Sequence, residues 1–90
     1  MYQLTLSRSE RRAIEWIGNR YANGDNLYSL LCDADWGNCR QWDEPQDITF
    51  TFHENVAWGM LDIREAEDGH WPCFSPELAC KLNVFCETIT

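Results

Sequence analysis

Two short stretches, Tyr2-Gln3-Leu4-Thr5-Leu6 and Ile48-Thr49-Phe50-Thr51-Phe52, alternate apolar and polar residues with a period of two. Successive side chains leave a strand on opposite faces, so this period marks two half-buried strands whose threonine-bearing polar faces match. The two are expected to pair antiparallel. A two-stranded sheet is marginal in water unless its apolar face is covered, so the rest of the chain must pack helices chiefly on one side. That restricts the chain to an α+β domain. A third strand near His70 to Phe74 is the one extension open to the sheet, and Pro72 limits it to an edge.

Helix signals fill the intervals. Ser7 and Glu10 have capping-box spacing, in which the hydroxyl accepts from a first-turn amide and the carboxylate reaches back to the cap. Ala13, Ile14, Ile17 and Tyr21 then form an apolar stripe, with Gly24 as a left-handed stop. Asp25 caps a second, shorter helix carrying Leu27, Tyr28, Leu30 and Leu31. Residues 33–47 show no sustained period, contain the breakers Gly37 and Pro45, and read as one long loop. After the second strand, Val56, Ala57, Met60, Leu61 and Ile63 lie at helical spacing, and the element fades into Glu67-Asp68-Gly69. Ser75, Pro76 and Glu77 announce a last helix, with Leu78, Leu82, Phe85 and Ile89 as its buried stripe. The expected order is βααβαα, with about four helices and the look of a weak duplication of a βαα unit.

At 90 residues there is room for one domain and one core, so residues 1–90 are read as a single unit. Hydrophobic content of 44% with five Trp, three Tyr and four Phe argues for a folded chain despite a net charge of -8. The charge is unevenly placed: thirteen of the fifteen acidic residues lie at or after Asp25, opposed there only by Arg40, Arg64 and Lys81. Such a field repels nucleic acid and membrane surfaces and favours a cationic partner. The first residues lack the basic and apolar regions of a signal peptide, and no apolar run approaches the ~18 residues that span a bilayer, so the expected location is cytoplasmic. Five cysteines, an odd number, fit reduced thiols there. None forms the close Cys-x2-4-Cys pair of a zinc knuckle.

Two acidic groups are the candidate contact surfaces. The first is the loop, where Trp36 and Trp42 are flanked by Asp33, Asp35, Asp43 and Glu44: aromatics that can bury area beside carboxylates that can engage Arg or Lys. The second is Asp62, Glu65, Glu67 and Asp68, at and beyond the end of the third helix. Its i,i+3 spacing sets carboxylates roughly 5–6 Å apart at Cβ, an array able to imitate phosphates. Other readings compete. Trp36 and Trp42 can instead fold back over the core, with the acids merely solvated. Asp33, Asp35, Gly37 and Glu44 fall at positions 1, 3, 5 and 12 of an EF-hand-like calcium loop, with the glycine one place early. His70 and Cys73, with Asp68 as orienter, offer a thiolate-imidazole pair supported only by proximity in sequence, and His53 beside Glu54 has no recognisable motif. Arg8, Arg11 and Arg12 lie on the outer side of the first helix, where they would meet phosphate, the acidic part of this chain, or a second copy of it. Trp16 and Arg20 at i,i+4 are expected to stack.

The segment Glu10-Arg11-x-Ala13-Ile14-x-Trp16-x-Gly18-x-Arg20-Tyr21-x-x-Gly24-x-x-Leu27 resembles one found in short uncharacterised bacteriophage and prophage proteins. In size and acidity the chain is also similar to phage counter-defence proteins, the anti-CRISPR and anti-restriction inhibitors, many of which occlude the nucleic-acid site of a host effector. The resemblance implies an inhibitor; with no nucleophile-elbow, phosphate-loop or metalloprotease pattern in the sequence, it is expected to be non-enzymatic, without a cofactor or metal. Its partner would be a basic host protein or ribonucleoprotein, with no direct contact to nucleic acid or membrane. A small structural or regulatory phage protein that self-associates, as a homodimer, is the alternative, and a small Cys/His enzyme is third.

Overall fold

Alternation in the two short stretches becomes pairing. The computed structural model describes residues 1–18, 22–71 and 74–89, with the backbone alone at 17–18 and 22–26. In it β1 (Tyr2–Leu6) lies antiparallel to β2 (Ile48–Phe52), with Leu4 opposite Phe50 and Leu6 opposite Ile48. This register buries Leu4, Leu6, Ile48, Phe50 and Phe52 on one face and leaves Gln3, Thr5 and Thr49 exposed on the other. The Thr5 and Thr49 hydroxyls hydrogen-bond across the open face at 2.8 Å. A slip of one residue would turn the whole apolar set to water.

Both strands are edges, and side chains occupy groups that would otherwise template another chain. On β2, Thr51 N–H donates to Asp35 at 3.0 Å and Thr49 C=O accepts from Asn38 at 3.1 Å. On β1, Thr5 C=O accepts from Lys81 at 3.0 Å.

The helices are α1 (Arg8–Gly18), α2 (Ala22–Ala34), α3 (Trp36–Cys39), α4 (Glu54–Ala66) and α5 (Pro76–Ile89). The capping box forms as read: Ser7 N–H donates to Glu10 at 2.8 Å, and Glu10 N–H donates to Ser7 Oγ at 3.2 Å. Lys81 of α5 reaches the same carboxylate at 2.6 Å, so one ammonium ties α5 to both β1 and the start of α1. Ser75 caps α5 through its hydroxyl, which accepts from Leu78 N–H at 3.2 Å. Ile14, Leu27, Leu31, Met60, Leu78, Leu82 and Phe85 close over the strands as one core.

Several expectations change. Gly24 and Asp25 neither stop nor start a helix. Among the described residues α1 runs to Gly18 and α2 from Ala22, so Gly24 and Asp25 lie in the first turn of α2, where an acid suits the positive helix end. The 33–47 segment is not one open loop, because α3 forms within it on an Asp35 cap. Nor are all the thiols free. Asp35 interrupts the helical path for one residue, so the end of α2 and α3 double back and Cys32 and Cys39 come within 5.2 Å at Cα, joined as a disulfide. Cys80 is free and exposed and Cys86 free and buried, whereas Cys73 lies outside the described residues. So do Arg20, the expected stacking partner of Trp16, and Tyr21. No third strand forms among the described residues.

The largest departure is Arg11, read as outward-facing and found fully buried, the only charged side chain so placed among the described residues. It flanks the apolar stripe, one turn before Ile14, and reaches backbone carbonyls at the end of β1 and ahead of β2. Its Nε donates to Trp42 C=O at 2.9 Å, one Nη to Leu6 C=O at 2.8 Å, and the other to Glu44 C=O. Burial lowers its pKa, opposed by the fields of Asp47 and Asp43, and a guanidinium stays charged under such a shift.

Arg11→Met would strip the partner from three carbonyls, each worth about 1–3 kcal/mol when left buried and unpaired. Urea unfolding should show a loss of at least about 3 kcal/mol, partly restored by Arg11→Lys. A variant within about 0.5 kcal/mol of the parent would contradict the clamp. A pH effect follows from Glu10. Burial raises its pKa, but the bonds from Lys81 and Ser7 outweigh burial and hold it below the usual value. Its contribution is therefore complete above the ordinary glutamate pKa of about 4.3 and is lost as pH falls through the lower folded value. Melting curves of Glu10→Gln should converge on those of the parent below that window, and a constant difference from pH 7 to pH 2 would contradict this.

Candidate functional site

The first acidic group divides. Trp36 is 65% exposed, whereas Trp42 is 7% exposed and is not a surface anchor. The turn after α3 sends Trp42 inward, edge-on to Tyr28 with ring centres 4.7 Å apart and tilted against Phe50 at 6.0 Å. The fold-back reading is thus correct for Trp42 and incorrect for Trp36. Asp35 is committed to structure: it accepts from Asn38 and from the Thr51 amide. Burial raises the Asp35 pKa, and those hydrogen bonds more than compensate, leaving it below the usual range. Asp33, Asp43 and Glu44 remain exposed. Asp33 lies in α2, Asp35 caps α3, Gly37 lies within α3 and Glu44 follows it, so the four calcium-loop positions do not share one loop. Among the described residues no group of three or more His, Cys, Asp or Glu side chains could hold a metal ion.

The second group lies along the end of α4, with Glu65 and Asp68 at the groove described below. Asp62 and Glu65 lie exposed on α4, Glu67 is half-buried as its C-cap, and Asp68 is exposed just beyond. The helix closes in a Schellman motif: Gly69 N–H donates to Arg64 C=O at 3.0 Å and Asp68 N–H to Glu65 C=O at 3.1 Å. Asp68 occupies the left-handed position with φ 54°, where glycine is preferred, and Gly69 follows at φ 73°. The end of a helix carries partial negative charge, so Glu65, Glu67 and Asp68 stand where acids are disfavoured, with Arg64 as the basic residue of the last turn. Local preference is overridden twice at Asp68, by conformation and by charge, and such conflicts concentrate at functional sites.

Trp71 stabilises this turn from behind. It is buried, has φ 49°, and donates from Nε1 to Asn83 Oδ1 at 2.8 Å, while Asn83 Nδ2 donates to Gly69 C=O at 3.0 Å. Asn83 thereby stitches the turn to α5. Between α4 and α5 a groove of about 500 Å³ opens, lined by Leu61, Arg64, Glu65, Asp68, Asn83 and Glu87.

Two residues of this surface were not singled out from sequence. Glu87 is 22 positions from Glu65, and only tertiary packing brings it to the groove. Trp58 is 53% exposed on α4, with exposed Glu54 and Asp62 four residues to either side. Its signal was available, because i,i+4 spacing places all three on one helix face. His53 is exposed at the N-cap of α4 without a side-chain capping bond, and Cys73, proposed to pair with His70, lies outside the described residues.

No family model, curated protein or solved structure matches this chain. Among the described residues no helix is long and apolar enough to cross a membrane. The functional reading rests on the geometry of α4 and its groove.

Replacing Asp68 by Gly removes both the left-handed penalty and the charge opposed to the helix dipole. It should stabilise the fold by about 0.5–1 kcal/mol, a rise in Tm of several degrees. Unchanged or lower melting would show that Asp68 is not locally disfavoured.

Proposed function

We propose that this chain is a non-enzymatic, phage-encoded inhibitor of the anti-CRISPR-like kind, acting in the host cytoplasm. The acidic surface of α4 and its groove would occupy the basic nucleic-acid-binding site of a host defence nuclease complex. The observation that carries this reading is the concentration of Glu65, Glu67 and Asp68 at the C-terminal end of α4, where the helix adds its own negative potential. Asp62 and Glu65, at i,i+3, continue the array along the helix. Residues 54–89 hold seven acidic residues against two basic ones, Arg64 and Lys81, and Lys81 is engaged by Glu10. Self-association is the competing reading, favoured by Trp36 and Trp58, each more than half exposed. A monomer in sedimentation at tens of micromolar removes it.

The test is displacement of labelled target DNA from a panel of purified CRISPR and restriction nucleases, at two salt concentrations. One effector should lose DNA affinity by about tenfold or more in the presence of the parent protein, with the effect weakening as salt rises. Reversal of Asp62, Glu65 and Asp68 to Lys should abolish it while leaving the fold intact by circular dichroism, because solvated charges contribute little to stability. Equal displacement by the parent and the triple variant, or none across the panel, contradicts the proposal.

A further inference from the structure

We infer that the outer face of α4 is an arginine-reading surface: Trp58 is its stacking platform, and the groove at the helix end seats a second guanidinium. The inference rests on the reading of the chain as a binder of basic partners, and it names the chemistry by which the partner is recognised.

The roll of α4 about its axis is set by packing on its inner side. Ala57 and Met60 are buried, and at Gly59 an added Cβ would lie 2.9 Å from Leu30 Cδ1, so α2 and α4 approach closely there. With that side fixed, Trp58 is held outward as a large apolar ring in contact with water. Glu54 and Asp62 flank it at i-4 and i+4, within reach of a cation lying on the indole. Leu61 and Glu65, the next residues along this side, line the groove with Asp68 and Glu87. The surface thus runs from an aromatic platform between two acidic residues to a cleft lined by three more, Glu65, Asp68 and Glu87, with Arg64 and Leu61.

This combination distinguishes arginine from lysine. A guanidinium is planar and weakly hydrated, so it can stack on an indole while its in-plane N–H groups reach carboxylates on either side. An ammonium is a compact, strongly hydrated charge that gains little from the platform. Charge complementarity therefore selects an arginine-rich segment of a basic partner as the occupant. A second copy of this chain would have to offer Arg8 and Arg12, exposed on α1.

The experiment is calorimetric titration of the full chain with hexa-arginine and hexalysine near physiological salt. Hexa-arginine should bind roughly fivefold more tightly, the ratio expected for a cation–π contact of about 1 kcal/mol. Trp58→Leu should erase the preference without altering the circular dichroism, and the pair Glu65→Gln with Asp68→Asn should weaken both peptides. Asp43→Asn with Glu44→Gln, an equal loss of charge elsewhere, should have little effect on either. The inference is overturned by equal affinities, by a preference that survives Trp58→Leu, or by a dimer that Arg8→Glu with Arg12→Glu dissociates. If the peptide preference is absent while the parent still displaces DNA from an effector, the arginine surface fails alone. If the preference is present and no effector is inhibited, the inhibitor reading fails alone.

Discussion

A buried guanidinium among three backbone carbonyls is the constraint on which the rest of the structure depends. Leu6, at the end of β1, and Trp42 and Glu44, on the approach to β2, each give a carbonyl to Arg11 of α1. Both strands are thereby held to one helix and to each other at the end where the polypeptide must return. No carboxylate is among these bonded partners; the fields of Asp43 and Asp47 instead offset part of the cost of burial. Removing either the donor or the geometry of the acceptors would leave polar groups stranded in the interior, a penalty comparable to a sizeable share of the stability of a small domain.

The same economy explains the surface. Arg11 faces inward, and Lys81 holds Glu10 and the Thr5 carbonyl at the joint between α5, β1 and α1. These two cations serve the interior and its seams, so they do little to neutralise the outer face of α4. The acids at the end of that helix meet Arg64 as their nearest basic neighbour in sequence, and the helix dipole deepens the potential they create. A negatively charged face is in this sense a product of where the fold places its few positive side chains, as much as of an excess of acid.

What could be read from sequence was local and periodic. Alternation at Tyr2–Leu6 and Ile48–Phe52 identified the strands and their facing, Ser7 and Glu10 the capping box, and Ser75 the last helix, because each depends on neighbours within a turn or a strand. Core positions such as Phe50 and Leu82 followed from the same periods and are fully buried. What escaped was long-range or contrary to residue type. An arginine at the edge of an apolar stripe reads as exposed. Gly24 reads as a stop because glycine commonly follows a helix, yet it lies inside α2. The Cys32–Cys39 disulfide depends on a fold-back that begins at a single residue, Asp35, whose side chain also caps α3 and bonds β2. Of the candidate site, the acids at the end of α4 were legible, whereas Trp42 turned inward and Glu87 arrived from another helix.

The account turns on Arg11 being an internal guanidinium rather than a surface charge, and its own N–H groups report on that directly. In a proton–nitrogen correlation spectrum of the arginine side chains at neutral pH, the Arg11 Hε should persist with slow water exchange, together with resolved Nη protons from hindered rotation. Arg8 and Arg12, both exposed, should exchange rapidly. The slow signal should disappear in Arg11→Lys. An Arg11 Hε that exchanges as fast as those of Arg8 and Arg12 would contradict the clamp, and with it the assignment of this cation to the interior rather than to the surface.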